Sequence, residues 1–247
     1  MTRIFAAIAI LVAATFSVQA DEPNRWSGPY LGVHAGYGWS AFDGSMIYTD
    51  ATDGDGFDAD AKTIDAEGGI AGGQVGFNFQ NGSIVWGIEA DASWSDISGD
   101  ATFLPYPVNY PANGSPAWAF ETSIDWLATV RGRLGIAADR TLIYGTGGIA
   151  WAGAETSLDV VGPGYDAWGR KSETLTGWTV GGGLEHALSR QWTIRAEYLY
   201  YRFDDVGGIL PGMQMTSCNP ACPHETDGFG GDIDLHTVRV GVNYQFN

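Results

Sequence analysis

Basic residues are scarce in this sequence. Among its 247 residues there are 12 Lys and Arg against 29 Asp and Glu, so the formal net charge is −17 at pH 7. A protein that binds nucleic acid needs clustered Lys and Arg to neutralise phosphates, and this acidity therefore excludes nucleic acid as a partner. It fits a surface exposed to cations, or an acidic surface that serves solubility alone.

Long apolar runs are absent after the first twenty residues. The opening stretch MTRIFAAIAILVAATFSVQA has a basic start at Arg3, an apolar run from Ile4 to Phe16, and a small residue at Ala20. This pattern is typical of a secretory signal peptide cleaved after Ala20, since the run is short for a membrane-spanning helix. We expect residues 1–20 to be the signal peptide and residues 21–247 to form one exported domain.

Cysteine is nearly absent, with two residues in the stretch SCNPAC, Cys218 and Cys222. In an exported chain with an even count, a disulfide that closes this small loop is the favoured interpretation. A metal site is the weaker alternative, because the two thiolates have only His224 nearby.

Glycine and aromatic residues are abundant, and charged side chains make up only 17% of the chain, which favours an all-β fold. Apolar and polar residues alternate with the period of two that a β-strand requires. Eight segments show this alternation: 28–40, 68–80, 84–95, 122–136, 141–154, 173–188, 192–203 and 234–246.

The connections between these segments alternate in length. Three are short, at 80–83, 137–141 and 189–191, and the first contains the Asn-Gly pair of a hairpin turn. Four are long and rich in Gly, Asp, Pro and Asn, at 41–67, 96–121, 155–172 and 204–233. The sequence therefore predicts an eight-stranded antiparallel up-and-down transmembrane β-barrel, with short periplasmic turns and four long external loops.

The two faces of the strands differ in polarity. In WTIRAEYLYYRF, Ile194, Tyr198 and Tyr200 share one parity, and Arg195 and Glu197 share the other. A membrane barrel turns the apolar face to lipid, so we expect the polar face to line the lumen. The predicted lumenal charge network has balanced signs and consists of Glu89, Asp91, Arg131, Arg133, Glu185, Arg195, Glu197 and Arg239.

The alternation also makes predictions for two neighbouring strands. In the fourth strand it places Ile124 and Trp126 on the lipid face and Asp125 on the lumen face. In the fifth strand, around LIYGTGGIAWA, the alternation does not show which residues face the lumen and which face lipid. This strand therefore cannot be phased, and a bulge would explain this.

Aromatic residues cluster at the ends of the predicted strands, as bilayer interfaces favour. The long-loop end has Trp39, Trp94, Trp126, Trp151 and Trp178. The short-turn end has Phe79, Trp86, Tyr144, Trp192, Tyr244 and Phe246.

The ordered set of strands resembles the small outer-membrane surface antigens of the porin-like opacity family, of the alphaproteobacterial type. The resemblance includes GGQVGFNFQ, WLATVRGRLGIA, GWTVGGGLEHAL and HTVRVGVNYQF. It implies an eight-stranded barrel in the outer membrane of a Gram-negative cell, with Tyr244 and Phe246 as the insertion signal read by the barrel-assembly machinery. The chain departs from the family pattern in ending on Asn247, and the Cys218–Cys222 loop is not a family feature.

Three functions fit this barrel. We favour a structural, surface-exposed envelope protein whose lumen is plugged by the charge network, because eight strands leave an interior just wide enough for side chains to fill. The alternatives are a narrow porin for small solutes and loop-mediated ligand binding or adhesion. We predict no cofactor and no enzymatic activity.

The expected partners are outer-membrane lipids, lipopolysaccharide, the assembly machinery, and divalent cations or host molecules at the external loops. The acidic loop at 50–65 fails the spacing of a calcium-binding EF-hand, since Phe57 stands where a ligand would follow Asp53 and Asp55.

Overall fold

The computed structural model describes residues 25–49, 56–103, 117–162, 165–203, 214–215, 229–230 and 232–246. Within these ranges the chain forms ten β-strands: β1 Gly28–Thr49, β2 Gly56–Asn81, β3 Ile84–Phe103, β4 Ala117–Ala138, β5 Thr141–Gly162, β6 Tyr165–Ala187, β7 Trp192–Phe203, β8 Gln214–Met215, β9 Phe229–Gly230 and β10 Ile233–Gln245. The predicted signal peptide and both cysteines lie outside the described residues.

Eight of these strands close into a barrel. Each strand from β1 to β6 pairs antiparallel with the next, and β10 pairs with both β7 and β1. The two-residue strands β8 and β9 add to the edges of β6 and β1. The predicted eight-stranded antiparallel barrel is therefore confirmed. In the described ranges, no helix has the length and apolarity that crossing a membrane requires.

The short turns join strands at one end of the barrel. Gly82 lies between β2 and β3 with φ of 61°, and Asp139 lies between β4 and β5 with φ of 53°. Both are left-handed conformations, which Gly adopts without strain and Asp tolerates. The start of β1 and the end of β10 lie at this same end, where the Phe246 N–H donates to the carbonyl oxygen of Pro29 at 3.0 Å.

The strands at the opposite end are longer than predicted. Much of the three segments predicted as loops at 41–67, 96–121 and 155–172 continues as paired strand. β1 to β6 each contain 20 to 26 residues, whereas β7 has 12 and β10 has 13. The composition of these segments suggested loops, but hydrogen bonding between neighbouring strands overrides composition.

The alternation of burial follows the predicted faces in most of the wall. Along β7 the odd-numbered side chains are buried and the even-numbered ones are exposed, half-buried near the outer end. The strand that could not be phased, β5, places Leu142, Tyr144 and Thr146 inside, while Ile143 and Ile149 face outward. Its pairing with β6 is continuous, so β5 itself has no bulge against that neighbour.

Two irregularities lie in β3 and β4 instead, and a third lies between β1 and β2, at Gly44 and Met46. The register between β3 and β4 shifts between Trp94 and Ile97, and the register between β4 and β5 shifts between Ile124 and Trp126. Each bulge inserts one residue and changes the parity of the positions beyond it. Ile124 is consequently buried and Asp125 exposed, so the predicted faces of these two residues were wrong.

Candidate functional site

The lumen at the middle of the barrel holds a layer of charged side chains, which we call the charge layer. Every member is at most 5% exposed, and the layer contains four Arg and four carboxylates. Its members are Glu89 and Asp91 on β3, Arg131 and Arg133 on β4, Glu185 on β6, Arg195 and Glu197 on β7, and Arg239 on β10. All eight residues predicted for the lumenal network thus lie inside the barrel.

Arg131 and Arg239 hold the carboxylates of β3 and β7 together. Arg131 Nη2 lies 2.5 Å from Glu89 Oε1 and 2.9 Å from Asp91 Oδ2, and its Nη1 lies 3.2 Å from Glu197 Oε1. From the far side, Arg239 Nη1 lies 2.9 Å from Asp91 Oδ1 and Nη2 lies 2.5 Å from Glu197 Oε2. Buried charges persist only when they are paired and hydrogen-bonded, and these two guanidiniums supply that pairing across the full width of the lumen.

Arg133 and Arg195 extend the layer toward the short-turn end. Arg133 Nη2 lies 2.8 Å from Glu185 Oε2, and Arg195 Nη1 lies 2.6 Å from Glu89 Oε2. Glu185 also accepts hydrogen bonds from Thr193 Oγ1 at 2.5 Å and from Asn243 Nδ2 at 2.8 Å. The layer thereby joins β3, β4, β6, β7 and β10 through the lumen.

A chain of polar groups joins this layer through His34, which is buried. Its Nδ1 lies 2.6 Å from Gln74 Oε1, and its Nε2 lies 2.7 Å from Ser93 Oγ. Since an amide oxygen only accepts, Nδ1 donates to Gln74, while the Ser93 hydroxyl is able to donate to Nε2 or to accept from it. Gln74 Nε2 then donates to Asn243 Oδ1 at 2.7 Å.

Two tyrosines fill the lumen beside the arginines. Tyr30 OH donates to Glu89 Oε2 at 2.7 Å and accepts from Arg133 Nη1 at 3.0 Å. Tyr144 OH donates to Glu197 Oε1 at 2.9 Å, and its ring centroid lies 4.1 Å from Arg133 Cζ. The sequence placed Tyr144 in the lipid-facing aromatic ring, which was wrong because β5 could not be phased.

Lumen-facing glycines make room for these long side chains. A Cβ on Gly32 would collide with the amides of Gln74 and Asn243, and a Cβ on Gly87 would lie 2.5 Å from Asn78 Oδ1. Glycines without side chains therefore line the lumen beside these long polar side chains, as close packing inside a narrow barrel requires.

Toward the external end the lumen becomes apolar. Tyr201 and Phe203 follow Glu197 on the same face of β7, and both are fully buried. They belong to a cluster that we call the outer apolar layer, formed by Ala66, Ile70, Ile97, Ile124, Leu127, Ala150, Ala152, Ala154, Leu175, Leu199, Tyr201, Phe203, Ile233 and Leu235. Tyr201 OH is the one polar side-chain atom within this cluster, and the buried hydroxyl groups at the same end of the lumen belong to Ser40, Thr122, Thr179 and Thr237.

At the periplasmic end the lumen is covered by Trp26. This side chain is 1% exposed and packs with Val85, Leu142, Tyr144 and Ala187, a cluster that we call the periplasmic cap. The Trp26 N–H donates to Gln80 Oε1 at 2.9 Å, and the Gln80 N–H donates to Ser27 Oγ at 2.9 Å. Trp26 and Ser27, which directly precede β1, thus lie over the mouth of the barrel.

The outer surface has two aromatic rings, as predicted. Trp39, Trp94, Trp126 and Trp178 are exposed toward the external end, and Phe79, Trp86, Trp192 and Phe246 toward the other. The ring of Tyr244, part of the predicted insertion signal, lies 5.1 Å from Trp192 and 5.1 Å from Phe246, both edge to face. Trp151 is half-buried.

Sequence reasoning missed several residues of this interior. Gln74 lies on the polar parity of β2, so the alternation could have identified it. Trp26 precedes the first strand, and nothing in its sequence context indicates that it covers the lumen. The acidic loop lies mostly outside the residues with described side chains, and among those that are described no group of His, Cys, Asp and Glu is arranged to hold a metal ion.

The closed antiparallel wall with an apolar outside and a charged inside is the arrangement of an outer-membrane barrel. Residues 8–246 match the family model of the outer membrane protein beta-barrel domain. The chain belongs to this family. Its location is accordingly the outer membrane.

Relatives in this family are named as outer-membrane antigens. The chain is 32% identical to the 31 kDa outer-membrane immunogenic protein of Brucella melitensis, over 90% of this chain and 84% of that protein. It is 27% identical to the 25 kDa outer-membrane immunogenic protein of Brucella canis, over 93% and 83%. It is also 33% identical to the 22 kDa outer membrane protein of Rhizobium leguminosarum, over 71% and 66%. The resemblance to alphaproteobacterial surface antigens is confirmed.

Among solved structures, the outer membrane protease OmpT from Escherichia coli is similar to this barrel, with a TM-score of 0.53 and 11% identity. The match covers 88% of this chain and 97% of that one. At this identity the similarity supports the outer-membrane barrel fold alone.

Proposed function

We propose that this outer-membrane barrel has a structural, surface-exposed role and that its lumen does not conduct. The observation that supports this is that three groups of side chains fill the lumen one after another along the barrel axis. They are the periplasmic cap, the charge layer and the outer apolar layer. An ion would have to cross two apolar clusters, and between them a layer whose charges already neutralise one another. A barrel of eight strands has little room beside such side chains.

Catalysis is not part of this proposal. The Ser93–His34 pair lies in the filled lumen, and its third group is the amide of Gln74 rather than a carboxylate that would stabilise an imidazolium. A second histidine and serine, His186 and Ser189, lie at the turn between β6 and β7. His186 Nδ1 instead lies 3.0 Å from Thr141 Oγ1, while Ser189 Oγ accepts from the backbone N–H of Trp192 at 3.1 Å.

The proposed partners follow from the surface. Lipid contacts the apolar band between the two aromatic rings, and lipopolysaccharide surrounds the external end. The assembly machinery would read Tyr244 and Phe246. The acidic external segments would attract divalent cations or host molecules.

Planar-bilayer recording tests the proposal against the narrow-porin alternative. The mature chain, residues 21–247, is refolded and its folding is verified by heat-modifiable gel mobility. We expect no discrete conductance steps. Reproducible steps from the wild-type protein would overturn the proposal and make the charge layer a selectivity filter.

A variant that opens both seals is the matched control. Trp26→Ala combined with Leu199→Ala and Phe203→Ala removes large side chains from both apolar clusters and retains every charge. We expect this folded variant to leak ions when the wild type does not. This would show that the bilayer assay detects an open lumen of this barrel.

A further inference from the structure

One section of the outer wall combines aromatic rings with paired charges at the external aromatic ring. It lies where β6, β7, β10 and β1 adjoin. Its outward-facing side chains, which we call the rim patch, are Trp39, Trp178, Tyr198, Tyr200, Arg202, Asp232, Asp234 and His236. Two rows of cross-strand neighbours make it continuous: Trp39, His236 and Tyr200 in one, and Asp234, Arg202 and Trp178 in the next.

The rings of the rim patch support one another. The Trp39 and His236 rings stack, with centroids 5.6 Å apart and planes inclined by 13°. Trp178 meets Tyr200 edge to face at 5.4 Å. Tyr198 OH lies 2.7 Å from His236 Nδ1, which fixes the imidazole in this position. The aromatic platform is therefore held in place before any ligand arrives.

The polar groups beside the platform are also ordered. Tyr200 OH donates to Asp234 Oδ1 at 2.5 Å, and Arg202 Nη1 lies 3.5 Å from the same oxygen. Arg202 also pairs with Asp232. These three charged side chains are 36% to 47% exposed, so a ligand can reach a guanidinium and two carboxylates from the same side.

The opposite wall lacks this combination. There Trp94 and Trp126 are cross-strand neighbours, and the charged groups near them are Asp96 and Asp125. Among the described outward-facing residues of 94–100 and 121–126, none is basic. Aromatic residues at this level are ordinary for an outer-membrane barrel, but the rim patch adds an Arg and a His that the described residues of β3 and β4 at this level do not have.

We propose that the rim patch binds the saccharide headgroup of an outer-leaflet glycolipid. A sugar ring has apolar faces that pack on aromatic rings, and hydroxyls that bond to carboxylates, guanidinium and tyrosine. Directly below, Tyr198 and Val238 face the bilayer and can contact the acyl chains. A free surface glycan has the same headgroup chemistry, but the position of the patch at the bilayer interface favours the membrane-anchored form.

This inference rests on the proposed function only for the orientation of the barrel in the outer membrane. The probe is a lipopolysaccharide with a short saccharide, added to the refolded mature protein in detergent, with binding followed by native mass spectrometry. Arg202→Gln combined with Asp234→Asn should raise the dissociation constant about tenfold or more, the loss expected for two or more charge-assisted hydrogen bonds. Trp39→Ala should weaken binding as well.

Matched controls come from the opposite wall. Asp125→Asn and Trp94→Ala change an aspartate and a tryptophan at the same aromatic ring, and their binding should equal that of the wild type. Equal loss in these controls, or no loss in the rim-patch variants, would overturn the site.

The delipidated oligosaccharide identifies the recognised part of the ligand. Competition by this fragment supports recognition of the saccharide. If only the intact glycolipid competes, acyl contacts hold the ligand and the saccharide proposal is wrong. A barrel that conducts ions yet still binds the glycolipid at the rim patch would refute the proposed closed lumen and leave this site in place.

Discussion

The charge layer and the outer apolar layer fill the same lumen by opposite means. The first satisfies eight ionised groups with one another, and the second has hardly any polar side-chain atoms to satisfy. Around the charge layer the wall faces lipid, so polarity runs from a charged inside to an apolar outside. At the external end this order reverses, because the outer surface there has Asp232, Asp234 and Arg202. The outer surface of the barrel thus changes from lipid-facing to water-exposed along its length, and the lumen changes from charged to apolar at the same level.

The largest effect should come from unbalancing the charge layer. Glu197→Gln keeps the shape of the side chain but removes the charge that faces Arg131, Arg195 and Arg239. A buried charge without its counter-charge costs about 3–5 kcal/mol, which should appear as a lower free energy of unfolding in urea. Glu173→Gln breaks a partly exposed pair with Lys171 and should cost less than about 1 kcal/mol. Similar losses for the two variants would contradict the distinction between them.

A smaller effect should follow from a charge on the lipid face. Val240 is 59% exposed and lies between the two aromatic rings. Val240→Arg should destabilise the inserted barrel by about 2–4 kcal/mol, the cost of an Arg near the bilayer midplane. Refolding yield and unfolding in lipid vesicles measure this. An unchanged stability would mean that the two faces of β10 are reversed.

The outer apolar layer should respond to volume rather than charge. A Cβ on Gly38 would lie 2.5 Å from Ile97 Cδ1, so Gly38→Ala should cost about 1–3 kcal/mol through overpacking. Ile97→Val removes that methyl group, and the double variant should recover part of the loss. The matched control is Gly36→Ala, whose Cβ would collide with the backbone carbonyl of Val238 and which Ile97→Val should not rescue. A double-mutant cycle from urea unfolding measures the coupling energy between Gly38→Ala and Ile97→Val. A coupling energy of zero would show that the side chains of this layer move to accommodate the added methyl group.

The smallest effect concerns Tyr144. Tyr144→Phe removes one hydrogen bond to Glu197, which keeps its arginines, so we expect a loss of about 1 kcal/mol. A Tyr144 on the lipid face would have no partner for its hydroxyl in the lumen, and the substitution would leave the unfolding free energy unchanged. The urea midpoint decides between the two positions.

Much of the fold could be predicted because a strand has a period of two and a membrane barrel inverts the usual polarity. That rule placed Arg195, Glu197 and Arg239 inside without knowledge of their partners. It failed at Ile124 and Asp125, because a bulge adds a residue without leaving a mark in the pattern. It also could not show which carboxylate pairs with which arginine, since pairing depends on the stagger of strands that are distant in sequence.

The external wall was predicted less well for a different reason. The segments beyond the aromatic ring have a loop-like composition, and their pairing as strands depends on neighbours that the membrane-spanning part has already aligned. Trp26 is a similar case, since its burial depends on the mouth of a barrel that must first exist.

The seam between β1 and β10 has a consequence for assembly. β10 is the last strand to be synthesised, and it provides Arg239, which pairs with Asp91 and Glu197. Until that strand joins β7 and β1, these two carboxylates lack one of their counter-charges, and a nearly complete barrel would hold unbalanced negative charge in its interior. The ion pairs of Arg239 therefore stabilise the barrel only once β10 has paired with β7 and β1. In a chain truncated before Ile233 these carboxylates would lack Arg239, so we expect that chain not to form a stable closed barrel.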